Sequence, residues 1–439
     1  LALLCSAAFG EDKLVVHEWG TFTSLQDEDG NAIGGINTDD EPVPQFVHRI
    51  AYNVLLSPTE APSGFFQGAP SCHPDVTMRL ETPVIYFHPP AGWNPRPVDV
   101  HVAFNGGWLT EFYPNADFRD PGFESEQRIG HIRKDAAGEL SWKGLAIGTD
   151  ARGPETKERV WLAPRAVDAA PVTTGSNEHE KFLFYRGVGN REAALRVVRK
   201  QETLEMQDAP RVLAMLNAPE NLRIHAAWLV EIASDGACAF RNLGPLEWEK
   251  RGSMPASLKD FRAESASQLR GQMREALIKE GLFPDEAEAL LNTWRISYFK
   301  SPGLRLFYIC PRVDVDGILP LEISAPSQIT RVMMGRIEIV TPGQRALLKK
   351  LAAGPAPDLS GMRAGPSDFQ HPENVAHWDA VMAGKEPYSA LGLPFPELYG
   401  DYLKLGRFRN ALILDEEKRR PAPALKKFIE ENGFQAYAD

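Results

Sequence analysis

Long apolar runs are missing from this chain after Leu1–Ala8, and with them any segment near the roughly 20 residues that a membrane-spanning helix needs. Positive charge is also scarce. There are 48 Lys and Arg against 59 Asp and Glu, a net charge of −11, which argues against nucleic acid or an anionic membrane as partner. The short cluster Lys418-Arg419-Arg420 follows Glu416 and Glu417 and reads as a solvated helix end. Cysteine is rare, 4 in 439 residues, and no CxxC occurs, which excludes a zinc ribbon or a thioredoxin-type motif. GxGxxG, the Walker A loop, GxSxG and HExxH are absent as well. Dinucleotide, P-loop, serine-hydrolase and zincin readings therefore lack their signatures.

What is there begins with Leu1–Gly10, small and apolar, ending in Ala8-Phe9-Gly10 and giving way at once to Glu11-Asp12-Lys13. An A-x-G site closing an uncharged stretch is the tail of a secretory signal. The expectation is an extracytoplasmic chain, periplasmic or secreted, with no integral membrane segment after cleavage; a buried N-terminal strand or helix is the alternative. Cys5 follows Leu4, whereas a lipid-anchor cysteine usually follows a small residue. Cys72, Cys238 and Cys310 then remain, enough for one disulfide in an oxidising compartment. The strand-like surroundings of Cys238 and Cys310 favour that pair.

With 43% hydrophobic and 24% charged residues, 36 Gly and 35 Pro, the chain is globular and rich in turns. Alternation over Leu222–Ile232 and Val98–Phe104 predicts half-buried strands, with turns at Asp235-Gly236 and Asn105-Gly106-Gly107. Shorter runs at Leu14–Trp19, Pro83–Phe87, Val160–Leu162 and Phe182–Tyr185 extend the set. Phe46, Val47, Ile50, Ala51 and Val54 recur at helical spacing. Ser257 is a candidate cap for a helix to Glu280 that Gly281 stops. A second helix starts at Pro284, Asp316-Gly317 suggests a hairpin, and Thr341-Pro342-Gly343-Gln344 is a helix start with a capping box. The fold class expected is a β-rich α+β protein. A signal remnant (1–10) precedes an antiparallel β-sandwich-like domain (11–250), a helical segment (251–301) and a smaller α+β portion with a Pro-rich C-terminal region (302–439).

Three segments stand out: His17-Glu18-Trp19-Gly20-Thr21-Phe22-Thr23, Glu81-Thr82-Pro83-Val84-Ile85-Tyr86-Phe87 and Phe182-Leu183-Phe184-Tyr185-Arg186-Gly187. With Arg331–Arg336 and Thr341-Pro342, they make the chain resemble a group of exported bacterial proteins that share these segments in this order. The resemblance implies export and a bacterial source. It carries no activity and no catalytic residues.

Candidate chemistry starts at His17-Glu18. One of the two would serve as metal ligand or general base, aided by Thr21, with Glu81 as a second carboxylate. On a strand, however, adjacent side chains face opposite ways, and the plain alternative is hydrogen bonding to neighbouring strands. Cys72-His73, near Asp75 and Met78, offers donors for copper or zinc, against a disulfide or a free thiol. Tyr185-Arg186 would bind a carboxylate or sulfate ligand, or close an internal pair with Glu81 or Glu202. His88 and His101 fall in adjacent strand-like runs that could approach across a ladder, but His101 is on the polar face beside Asp99, so solvent exposure is the simpler reading. His371 and His377, with Glu373 between, decorate a helix start. Asp27, Glu28, Asp29 and Asn31, with Asn37, Asp39 and Asp40, invite calcium, but Ala32 and Thr38 break the EF-hand register. The absent signatures favour a non-catalytic envelope protein binding a peptide, glycan or protein ligand. The second reading is a metal-assisted hydrolase or oxidoreductase centred on His17 and Glu18, its cofactor unassigned.

Overall fold

The computed structural model describes residues 13–36, 43–49, 72–119, 132–208, 223–246, 253–354, 400–402 and 404–431. The first strands are β1 (Leu14–Gln26), β2 (His48–Arg49), β3 (Met78–His88), β4 (Val98–Asn105), β5 (Gly107–Tyr113) and β6 (Asp117–Arg119). Next come β7 (Ala137–Ile147), β8 (Val172–Thr173), β9 (His179–Glu180), β10 (Leu183–Gly189), β11 (Leu195–Lys200) and β12 (Thr203–Asp208). The last are β13 (Ala227–Ile232), β14 (Cys238–Asn242), β15 (Ser253–Pro255), β16 (Gly303–Ile309), β17 (Leu321–Ile323) and β18 (Ser327–Ile339). Helices are α1 (Arg159–Arg165), α2 (Ser265–Lys279), α3 (Pro284–Thr293) and α4 (Arg295–Phe299). They continue with α5 (Arg312–Ile318), α6 (Pro342–Ala353), α7 (Arg409–Arg419) and α8 (Pro423–Glu431). The fold is α+β and rich in strand, and none of these helices is long and apolar enough to cross a membrane.

Fifteen strands share one sheet, whose main path runs β14-β13-β16-β18-β1-β3-β10-β5-β7-β4-β17. β1 lies mid-path. It pairs in parallel with β18, from Leu14 opposite Ser327 to Gln26 opposite Ile339, and antiparallel with β3. The expected boundary at residue 250 therefore cuts through hydrogen-bonded neighbours, because β13 pairs with β16. Instead of two facing sheets, the long sheet curls. Leu229 and Ala239 near one edge share a core with Val100 and Trp142 near the other. The small sheet β11-β12-β15 adds Leu195, Val197, Leu204 and Met254 to this inner core. The opposite face of the β1 region is roofed by α2, α3 and α4, through Leu269, Met273, Leu290 and Trp294. A third core joins Leu25 and Trp108 to α6, α7 and α8.

Strand periodicity explains the burial. Along β1, Leu14, Val16 and Phe22 enter the inner core, while Trp19 enters the helix-roofed one. The three distinctive segments, on β1, β3 and β10, and Arg331–Arg336, on β18, turn out to be neighbours. Gly20 lies at the register shift between β1 and β3, where a Cβ would stand 2.9 Å from Met333 Sδ and 3.0 Å from Pro83 Cα. Close backbone approach thus requires glycine there.

Several local expectations change. Val160–Leu162 is helical, within α1, because a three-residue apolar run has no period to distinguish helix from strand. Asp316-Gly317 closes no hairpin. It ends α5, where Arg312 and Asp316 pair at 2.7 Å across one turn. The helix expected from Ser257 begins at Ser265, and Ser257 Oγ donates to Glu231 instead. The Asn105–Gly107 turn forms with Gly106 at φ +84, yet β4 pairs with β7, and β5 with β10. Phe46 and Val47 precede the short β2 and are not helical; residues 50–54 lie outside the described residues. Cys72, Cys238 and Cys310 are all buried, and no disulfide joins any two of them. Cys238 is level with Gly303 across β13, whereas Cys310 is seven residues further along β16. That is roughly 23 Å at strand rise, far beyond disulfide reach.

Candidate metal centre

His17 and His88 meet because of the β1–β3 register. Val15 is opposite His88 and Tyr86 opposite His17, so the two histidines are diagonal neighbours on the helix-roofed face. Their ring centroids are 5.3 Å apart. Helix α3 brings the third group. Pro284 starts it, and Glu286 at its third position accepts a hydrogen bond from Phe283 N–H at 2.7 Å, as a capping carboxylate does. The same carboxylate reaches the sheet. Glu286 Oε2 is 2.7 Å from His17 Nδ1, and Oε1 is 2.9 Å from His88 Nε2.

The three donor atoms all lie within 4.8 Å of one another. Glu286 is fully buried and His17 nearly so, while 15% of the His88 side chain reaches solvent. Phe283, 42% exposed, lays its ring against both imidazoles at 4.5 and 4.8 Å. Solvent therefore reaches the cluster at the His88–Phe283 edge. Burial by itself would raise the Glu286 pKa. Hydrogen bonds from His17 and His88 and the His17 charge outweigh it, and hold the carboxyl below its ordinary value. A tetrahedral ion with bonds of ~2.0–2.1 Å keeps its donors about 3.3 Å apart. Donors now spread over as much as 4.8 Å would close to that spacing, with Glu286 backing away from the imidazoles it is hydrogen-bonded to. Two imidazoles and a carboxylate make a three-ligand set that leaves one position open.

Other candidates sit elsewhere. Glu18 projects to the opposite face, where Tyr185 Oη and Arg331 Nε donate to its two oxygens, all three groups being buried. Burial and the Glu18 charge push the Tyr185 phenol well up. Arg331 continues to Asp316 at 2.9 Å, so this is an internal ion-pair network. Thr21 shares a hydrogen bond with the buried Tyr298 hydroxyl. Glu81, opposite Thr21, is four residues or roughly 13 Å along β1 from His17; it pairs with Arg407 at 2.6 Å. It cannot join the histidines. Arg186 pairs with neither Glu81 nor Glu202: its Nη1 reaches Glu111 at 3.2 Å and its Nε reaches Thr82. Cys72 and His73 are buried in the third core, where His73 Nδ1 accepts from Asp75 N–H. Among the described residues no third donor converges on them.

His101 is four strands from His88 along the sheet and meets Ser141 at 2.9 Å. Asp27 accepts from the backbone of Asp29 and Asn31, closing its own turn, and Glu28 is engaged by Arg345 and Arg419. Asn37, Asp39, Asp40, His371, Glu373 and His377 lie outside the described residues. Sequence reading missed Glu286. Phe283-Pro284-Asp285-Glu286 signals a helix start, and nothing local ties it to a histidine 269 residues earlier.

Neither a protein-family model nor a curated protein matches the chain. Among solved structures, the Fcho1 Mu homology domain from Danio rerio with bound Eps15 peptide aligns with 75% of this chain and 95% of its own. Identity is 9% and the TM-score 0.25, a likeness too loose to transfer a site or a ligand.

Proposed function

We propose that this chain binds a divalent transition-metal ion through His17, His88 and Glu286, and uses the open fourth position for metal-assisted hydrolysis. One observation carries the reading: three metal-ligand atoms from three distant parts of the chain lie within 4.8 Å of one another. Zinc suits two imidazoles and one carboxylate, and three protein ligands plus water is the pattern of catalytic zinc. Such an ion supplies Lewis acidity and an activated water. This convergence puts a metal centre ahead of a peptide-, glycan- or protein-binding envelope component. It also moves the centre from Glu18 and Glu81 to His88 and Glu286. Export, expected from residues 1–10, belongs to the same proposal and is tested by fractionating cells that express the full gene.

The test is elemental analysis of protein purified without chelators, followed by zinc titration of the chelator-treated form. The expected result is about one zinc per chain, with affinity falling at least ~100-fold in His88→Ala. A chain that takes up no zinc, in which Glu286 serves only to fasten α3 to the sheet, would overturn the reading. A panel of ester, phosphoester and peptide substrates, with and without zinc, then tests the hydrolytic part.

A further inference from the structure

At the end of the sheet far from β14, four strands set polar side chains in one row on the outer face. Val100 and Val102 of β4, and Leu140 and Trp142 of β7, enter the inner core. His101 and Ser141 between them therefore face outward. His101 is opposite Ser141 on one side and opposite Glu322 of β17 on the other, and Asp117 of β6 is opposite Ser141. Across the strands the order is carboxylate, hydroxyl, imidazole, carboxylate. Ser141 Oγ and His101 Nδ1 are 2.9 Å apart, and both residues are half-buried.

Ser141, His101 and Glu322 line a hollow of about 340 Å³ on that face, with Asp99, Lys143 and Ser324 beside them. Small-molecule sites span roughly 300–1,000 Å³. Most polar groups around the hollow are already engaged. Asp99 Oδ1 accepts from Gly144 N–H at 2.7 Å, Ser324 Oγ accepts from Asp99 N–H at 2.8 Å, and Asp117 pairs with Lys143 at 2.8 Å. Glu322 is exposed and has no hydrogen bond or ion pair among the described residues. A serine hydroxyl is a weak nucleophile until an adjacent base takes its proton. Here the base is in place, and an unengaged carboxylate flanks it.

We propose that Ser141, His101 and Glu322 form a nucleophilic site for small carboxylic esters, separate from the metal centre and independent of it. Ser141 Oγ–H donates to His101 Nδ1, so the imidazole keeps its own proton on Nε2. Glu322 is the acceptor on that flank and positions the ring. Ser141 Oγ attacks the ester carbonyl carbon, and its proton passes to Nδ1. Lys143, held by Asp117, faces the developing oxyanion. The carbon–oxygen bond to the alcohol breaks, and the alcohol leaves with the proton from Nδ1. Water then adds to the acyl-serine with His101 again as base, releasing the carboxylic acid and restoring Ser141.

The experiment is phosphonylation of the full, chelator-treated chain by a serine-directed fluorophosphonate, with peptide mass mapping, alongside turnover of p-nitrophenyl acetate. The expected result is labelling of Ser141 and acetate turnover, both lost in Ser141→Ala. His101→Gln should slow labelling by about 100-fold or more. Glu322→Gln should slow it roughly tenfold through a less fixed imidazole, and Glu322→Asp should recover much of the rate, which a merely structural role would not produce. All three positions are on the outer face, so an unchanged Tm confirms that each variant folds. No labelling, labelling at another serine, no acetate turnover, an undiminished rate in His101→Gln, or labelling that appears only when zinc is restored would overturn the proposal.

Discussion

His17 and Glu18 are adjacent in sequence and never meet, because a pleated strand sends successive side chains to opposite faces. His17 goes to the metal candidates, and Glu18 to Tyr185 and Arg331. The separation makes their variants distinguishable. Glu18→Ala leaves the Arg331 charge buried with only the half-exposed Asp316 as counter-charge, and should cost about 3–5 kcal/mol in urea unfolding. Zinc affinity should be unchanged, which the titration of the refolded variant checks. Parity on β1 is legible from the sequence. The partners are not, since Arg331 is 313 residues away and is chosen by strand register alone.

Elements obey local rules wherever the rule is satisfied by a few adjacent residues. Thr341 caps α6, accepting from Gln344 N–H at 3.2 Å while the Gln344 side chain returns to Thr341 N–H at 2.9 Å. Thr341→Ala should therefore lower stability by about 1 kcal/mol, read as a shift in urea midpoint at constant slope. Gly281 stops α2 at φ +108, as its position predicts. Gly20 is a sharper case. A methyl group there meets Met333 Sδ and the Pro83 backbone at 3.0 Å or less. Gly20→Ala should cost roughly 1–3 kcal/mol through overpacking between β1, β3 and β18. Local rules fail where identity depends on partners. The Val160–Leu162 run became helix α1, and Asp316-Gly317 became a helix end held by pairs to Arg312 and Arg331.

At the scale of the molecule, Glu28 fastens the C-terminal helices to the turn after β1. Arg345 of α6 approaches it at 2.7 Å and Arg419 of α7 at 2.9 Å. Burial would raise its pKa, but hydrogen bonds from Arg345 and its own backbone, then the Arg345 charge and Arg419, lower it to about 2. A carboxylate with a depressed folded-state pKa contributes stability that is complete above its ordinary value near 4.5 and is lost as pH falls toward 2. The pair is partly solvated, so the contribution is on the order of 1–2 kcal/mol. Urea unfolding should show wild type more stable than Glu28→Gln by this amount at pH 6, with the gap closing between pH 4.5 and 2. A pH-independent gap would assign the effect to packing.

Composition and short-range pattern determined that this chain is β-rich, where several helices start and stop, and which way each side chain of β1 points. Those properties depend on steric and hydrogen-bonding preferences spanning a few residues. The tertiary structure alone decided that residues before 250 and after 302 share one sheet, that β1 and β18 run parallel, and that Glu286 closes on His17 and His88. Register and long-range contact set those outcomes, and neither leaves a trace in the spacing of neighbouring residues.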